Sequence, residues 1–107
     1  MNDIEWLQRW YASCCDGKWE HAYGVKIDTL DNPGWSLEID LEETDLEGVP
    51  FAEIREGTFV ETFPDPDLSS WQHCKVENSK FIAFGGADDL EAIVLTFVEW
   101  AEGVAPA

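Results

Sequence analysis

Basic side chains are scarce in this chain of 107 residues: six Lys and Arg stand against 23 Asp and Glu, leaving a formal charge of -17. A surface of that sign repels phosphate backbones and anionic headgroups, which argues against direct binding to nucleic acid or to a membrane surface. No run approaches the roughly 20 apolar residues that span a bilayer. The opening Met1-Asn2-Asp3-Ile4-Glu5 lacks the basic flank of a secretory signal, so the expected location is the cytoplasm. Cysteine is sparse and odd in number. With Cys14 and Cys15 adjacent and Cys74 far away, no disulfide framework is expected and reduced thiols are the default. Walker and dinucleotide fingerprints, zinc-ligand spacings, internal repeats and low-complexity linkers are all missing.

Aromatic residues are what the chain has in abundance. Six Trp, six Phe and two Tyr within a 45% hydrophobic composition exclude a disordered acidic tail, and the length suits a single domain spanning residues 1–107. Asn2 with Glu5 forms a capping pattern, and Ile4, Leu7, Tyr11 and Cys14 recur at helical spacing, predicting a helix over about residues 3 to 15 closed by Asp16-Gly17. From Trp19 the period changes to two. Trp19, His21, Tyr23, Val25 and Ile27 then share one face of a first strand, and Asp31-Asn32-Pro33-Gly34 turns the chain into a second. In that second strand Trp35, Leu37, Ile39 and Leu41 alternate with Ser36, Glu38, Asp40 and Glu42. A third strand is expected within residues 52 to 62, before Pro64-Asp65-Pro66 interrupts the ladder. Trp71 to Glu77 and Lys80 to Phe84 flank Asn78-Ser79 as a hairpin. After Gly85-Gly86, Asp88 and Glu91 repeat the capping pattern at the start of a last helix whose apolar face includes Leu90, Ile93, Val94 and Phe97, with Gly103 at its end. The fold class is therefore α+β: a mainly antiparallel sheet of about four to five strands with an N-terminal and a C-terminal helix packed on its inner face.

Signs of catalysis are weak. His21 and His73 read as hydrogen-bonded, partly buried imidazoles, and the three thiols as small packed groups. The helix entry after Gly85-Gly86 is occupied by Asp88 and Asp89, whose carboxylates cap it and repel phosphate. The acids of residues 40 to 67 lack the calcium-loop register, so no metal or cofactor is expected. They nevertheless exceed what solubility requires, which is a net charge of roughly 2 to 8 for a small domain. Glu38, Asp40 and Glu42 on the polar face of the second strand continue into Glu43, Asp45 and Glu47 of the next loop. Together they form an expected partner-binding surface for a positively charged protein, with Trp71 as an apolar anchor.

Several runs carry a family resemblance: Trp6-Leu7 with Trp10-Tyr11, Cys15-Asp16-Gly17-Lys18-Trp19-Glu20-His21, Tyr23-Gly24-Val25-Lys26-Ile27, and Thr29-Leu30-Asp31-Asn32-Pro33-Gly34-Trp35. Later come Leu46-Glu47-Gly48, His73-Cys74-Lys75-Val76, Gly85-Gly86 and Glu99-Trp100-Ala101-Glu102. On these residues the chain resembles the immunity protein 53 family of bacterial polymorphic-toxin systems over nearly its whole length. The resemblance implies a small non-catalytic cytosolic protein that binds and neutralises a cognate toxin. It departs from the family around Arg55 to Ser70, a longer Pro-containing segment where partner choice is expected to differ. No contact residues come with the resemblance, so the acidic set rests on charge and exposure alone. The leading reading is occlusion of a basic toxin, such as a nuclease. The alternatives are a thiol-dependent sulfurtransferase or hydrolase using Cys74 or Cys15 with a histidine, and a generic acidic adaptor.

Overall fold

The computed structural model describes residues 2–31, 33–57 and 71–104. Helix α1 spans Asp3–Cys14, and Asn2 Oδ1 accepts from the Glu5 amide at 2.7 Å, the cap that the sequence predicts. Glu5 does not close the box. It pairs instead with Arg9 one turn on, at 3.2 Å.

The expected first strand begins late. Trp19–Ala22 forms a single helical turn, α2, so His21 is exposed on a helix rather than inward on a strand. The cause is local hydrogen bonding that outcompetes the alternating pattern. Asp16 Oδ1 accepts from the Lys18 and Trp19 amides, and Glu20 reaches back to the Asp16 and Gly17 amides. Gly17 takes φ +93°, which only glycine adopts at little cost.

Strand β1 then runs Val25–Leu30, β2 Gly34–Asp40, β3 Ile54–Gly57, β4 Trp71–Glu77 and β5 Lys80–Gly85. They form one antiparallel sheet in the order β1-β2-β5-β4-β3. Of the third strand expected within residues 52 to 62, the part beyond Gly57 lies outside the described residues, as do Pro64-Asp65-Pro66 and Asn32 of the first turn. The second hairpin is as expected: Asn78 and Ser79 both take positive φ, 53° and 59°, the mirror-image turn that matches strand twist.

Helix α3, Leu90–Gly103, lies across β2, β5 and β4, while α1 packs mainly against α3. Its entry departs from expectation. Asp89 sits at the cap position without capping the helix, its Oδ2 accepting instead from the Trp71 and Gly86 amides at 2.9 and 3.1 Å. That carboxylate thereby ties the start of β4 to the end of β5.

The inner face of the sheet buries Leu37, Ile39, Cys74, Phe81 and Ala83 completely against Ile93, Val94 and Phe97. Phe97 is the aromatic hub, with Phe81 at 5.1 Å, Trp10 at 5.2 Å and Trp6 and Trp100 at 6.1 Å between ring centroids. Trp19 is buried, and Trp6, Trp10, Trp35 and Trp100 pack against the core with part of each ring exposed. The excess of Trp is thus largely core material, and the indole N–H groups of Trp19, Trp35 and Trp100 donate to carbonyls.

Candidate functional site

The loop leaving β2 carries most of the acids singled out from sequence, and it is built to stay in one shape. Leu41 and Leu46 are buried and anchor it from below. Thr44 Oγ1 donates to the Leu41 carbonyl at 2.6 Å and accepts from the Leu46 amide at 3.1 Å. Glu47 Oε2 accepts from the amide of Glu43, a residue held at φ 62°. Leu41 N donates to Ser79 O. Two indoles clamp the ends: Trp19 Nε1 donates to Glu42 O at 2.9 Å and Trp100 Nε1 to Pro50 O at 3.0 Å. Between these clamps the side chains of Glu42, Glu43, Asp45 and Glu47 are exposed. None of the four has an ion pair among the described residues. Their field is felt nearby, since burial first and then Glu42 and Glu43 push the Tyr23 phenol above its ordinary pKa.

Glu38 and Asp40 are placed differently. They lie on the outer face of the sheet, where Lys80 Nζ sits 2.9 Å from Glu38 Oε1 and 3.7 Å from Asp40 Oδ1. The hydrogen bond from Lys80 holds Glu38 below the usual carboxylate range, and the same contact raises Lys80. Asp40 Oδ2 also accepts from the Gly24 amide at 2.9 Å, so this carboxylate joins β1 to β2. Trp71 is farther away still. It is the first residue of β4, whereas Glu77 at the far end of that strand is level with Lys80 and Asp40. Six residues at about 3.3 Å each put Trp71 roughly 20 Å from the acids. The structure therefore brings Glu42, Glu43, Asp45 and Glu47 together, leaves Glu38 and Asp40 beside them but paired, and separates Trp71.

Register explains why the outer face is not acidic. One row across the sheet reads Lys26, Glu38, Ile82, Lys75, and the next reads Asp28, Ser36, Phe84, His73, Arg55. Four of the six Lys and Arg residues, Lys26, Arg55, Lys75 and Lys80, thus share this one surface. Arg55 meets Glu53 at 2.8 Å and Lys75 meets Glu77 at 2.8 Å. His73 Nε2 lies 3.3 Å from Glu53 Oε2 without the alignment of a hydrogen bond.

The thiols are poorly suited to nucleophilic work. Cys74 is fully buried, and burial pushes its pKa up to about 11, so little thiolate exists near neutrality. Burial likewise raises Cys14, and Cys15 Sγ donates to the Tyr11 carbonyl. His21 is exposed on α2, which leads into β1, separated from β4 by two strands in the sheet order, and no cluster of His, Cys, Asp and Glu fit to hold a metal occurs among the described residues. Among the described residues no helix is long and apolar enough to cross a membrane.

What remains is an exposed acidic loop, and a sequence comparison gives the family to which the chain belongs. The immunity protein 53 family matches residues 4–102, nearly the whole chain. This chain belongs to that family. No curated protein and no solved structure matches it. Membership of an immunity-protein family implies a toxin as partner, and such families are generally inhibitors rather than enzymes. In this immunity protein the Cys15 to His21 run proves structural: Asp16 and Glu20 shape the turn, and it ends by delivering the Trp19 N–H to the acidic loop. Alternation alone missed that role by placing Trp19 on a strand. The signal that could have found it is the spacing Asp16-Gly17-Lys18-Trp19-Glu20, a side-chain-capped turn with glycine at its second position.

Proposed function

We propose that this immunity protein neutralises its toxin in the cytoplasm of the producing cell by seating the loop of Glu42, Glu43, Asp45 and Glu47 over a basic active-site cleft, of the kind a nuclease uses to hold phosphates. The observation that carries the reading is the display of four exposed carboxylates on a hydrogen-bonded loop, none with an ion pair among the described residues. Pre-ordering matters, because a loop already held by two indoles loses little further freedom on docking. Glu38 and Asp40 form the rim of the contact, where their shared Lys80 discounts their charge. Trp71 lies outside it.

The test is protection of cells expressing the toxin encoded beside this protein. The Glu43 and Asp45 carboxylates accept no hydrogen bond among the described residues, so Glu43→Lys with Asp45→Lys reverses charge without removing a support. Protection should fall and the association rate should drop at least tenfold at low salt, with an unchanged far-UV circular dichroism spectrum. Full protection by the doubly reversed protein would reject this loop as the docking element.

A further inference from the structure

We infer that the β1 edge of the sheet pairs with the β1 edge of a second copy of this chain, joining two sheets into one across a two-fold axis at Ile27. Strand β1 is terminal in the sheet order, and Lys26, Ile27, Asp28 and Thr29 are all exposed, Ile27 by 44%. Which backbone groups face outward follows from hydrogen-bond parity. Asp40 N donates to Gly24 O, so Gly24 and, alternating from it, Lys26 and Asp28 spend their amides and carbonyls on β2. Val25, Ile27 and Thr29 point theirs away. Independent support comes from Thr29, whose amide takes Asp28 Oδ1 at 2.8 Å in place of a strand partner.

An antiparallel copy must pair odd residues with odd ones, which leaves registers two residues apart. The register centred on Ile27 sets Ile27 against Ile27, Val25 against Thr29, and Lys26 against Asp28 of the other copy. Sliding by two residues one way opposes Lys26 to Lys26, and the other way Asp28 to Asp28. Like charges directly opposite destabilise a ladder, so of these three registers the charge pattern selects the one centred on Ile27 and makes the edge complementary to itself. The same pattern discourages pairing with unrelated strands. Asp28 then exchanges the Thr29 amide for the ammonium of Lys26 opposite, while the Thr29 amide gains the Val25 carbonyl. Because the axis stands perpendicular to the sheet, both α3 helices share one face and the two acidic loops lie at opposite corners.

Each copy carries a charge of -17, and the contact is one strand long, so the pairing is weak and strengthens as salt screens the general repulsion. The experiment is sedimentation equilibrium of the full chain up to about 1 mM, in about 0.05 M and 0.5 M NaCl. The mass should rise towards that of a dimer with concentration, and more so at the higher salt. Lys26→Asp and Asp28→Lys, each alone, turn two attractive pairs into two repulsive ones and should weaken association about tenfold or more. The double exchange Lys26→Asp/Asp28→Lys should restore it, which a general effect of either residue on folding would not do. A wild-type chain that stays monomeric throughout overturns the inference. So does a dimer indifferent to the single reversals, or a loss that the double exchange fails to repair. Monomers whose toxin binding is lost on Lys26→Asp would instead assign the edge to a toxin strand, and would equally refute self-pairing.

Discussion

Trp19→Phe tests whether the acidic loop is held from behind. The substitution keeps an aromatic ring in a buried site but removes the N–H that Glu42 O accepts at 2.9 Å. A neutral hydrogen bond of this kind contributes about 1 kcal/mol net. Losing the second ring empties roughly 40 Å³, and at about 24 cal/mol per Å³ the cavity adds about 1 kcal/mol. The expected loss is therefore about 2 kcal/mol, a large part of the 5–15 kcal/mol typical of a domain. Urea unfolding followed by far-UV circular dichroism measures it as a shift in midpoint at constant slope. The local consequence is more telling. Amides of Glu43 to Glu47 should exchange with solvent faster than in the wild type by more than global destabilisation explains, and toxin association should slow because the loop must be ordered on docking. A loss under about 0.5 kcal/mol, or exchange changed only in proportion to global stability, would refute the idea that the indole positions the loop.

Gly34→Ala should destabilise by about 1–3 kcal/mol in the same denaturant assay, because a methyl there would meet Gly85 O at 2.5 Å, backbone that side-chain rotation cannot move. Cys74 has a raised folded-state pKa of about 11, so the unfolded chain ionises first as pH climbs. Its contribution is whole below about pH 8.5 and is lost as pH rises through 11, costing about 2–3 kcal/mol, which a comparison of wild type with Cys74→Ala between pH 8 and 11 reads as a difference in slope.

Alternation made β2 and β5 legible because the inner face of each is buried at its centre: Leu37 and Ile39, like Phe81 and Ala83, are 0% exposed. Capping made the start of α1 legible because Asn2 acts on its own segment. Where a side chain bonds a neighbour's backbone instead, pattern misleads. Asp16 converts an alternating run into α2, and Asp89 leaves its helix to serve Trp71 and Gly86, partners that no local spacing announces. The candidate site was half legible for a similar reason. Glu42 to Glu47 are contiguous in sequence and so stay together, but Glu38 and Asp40 owe their surroundings to Lys80, some 40 residues away and brought alongside only by the β2–β5 register. Trp71 was grouped with the acids as an apolar anchor on paper, yet the β4–β5 register puts it at the other end of the sheet.

Net charge is consequently a poor guide to where this protein attracts a partner. At physiological salt the screening length is about 8 Å, so an approaching surface responds to the carboxylates within that reach rather than to the total. The cations are not spread evenly to dilute the acids: four of the six line the outer face of the sheet, where Glu38, Asp40, Glu53 and Glu77 answer three of them, Arg55, Lys75 and Lys80, at 2.8 to 3.7 Å. That surface is close to neutral, although it contains two of the acids that sequence alone puts at the centre of docking. The four acids of the loop beyond it have no ion pair among the described residues, and they lie on a segment whose ends two indoles hold by their backbone carbonyls. Holding like charges together costs stability, since each could otherwise relax away from its neighbours. The buried Leu41 and Leu46 offset that cost, so the core sustains the local concentration of charge from which a basic partner would gain.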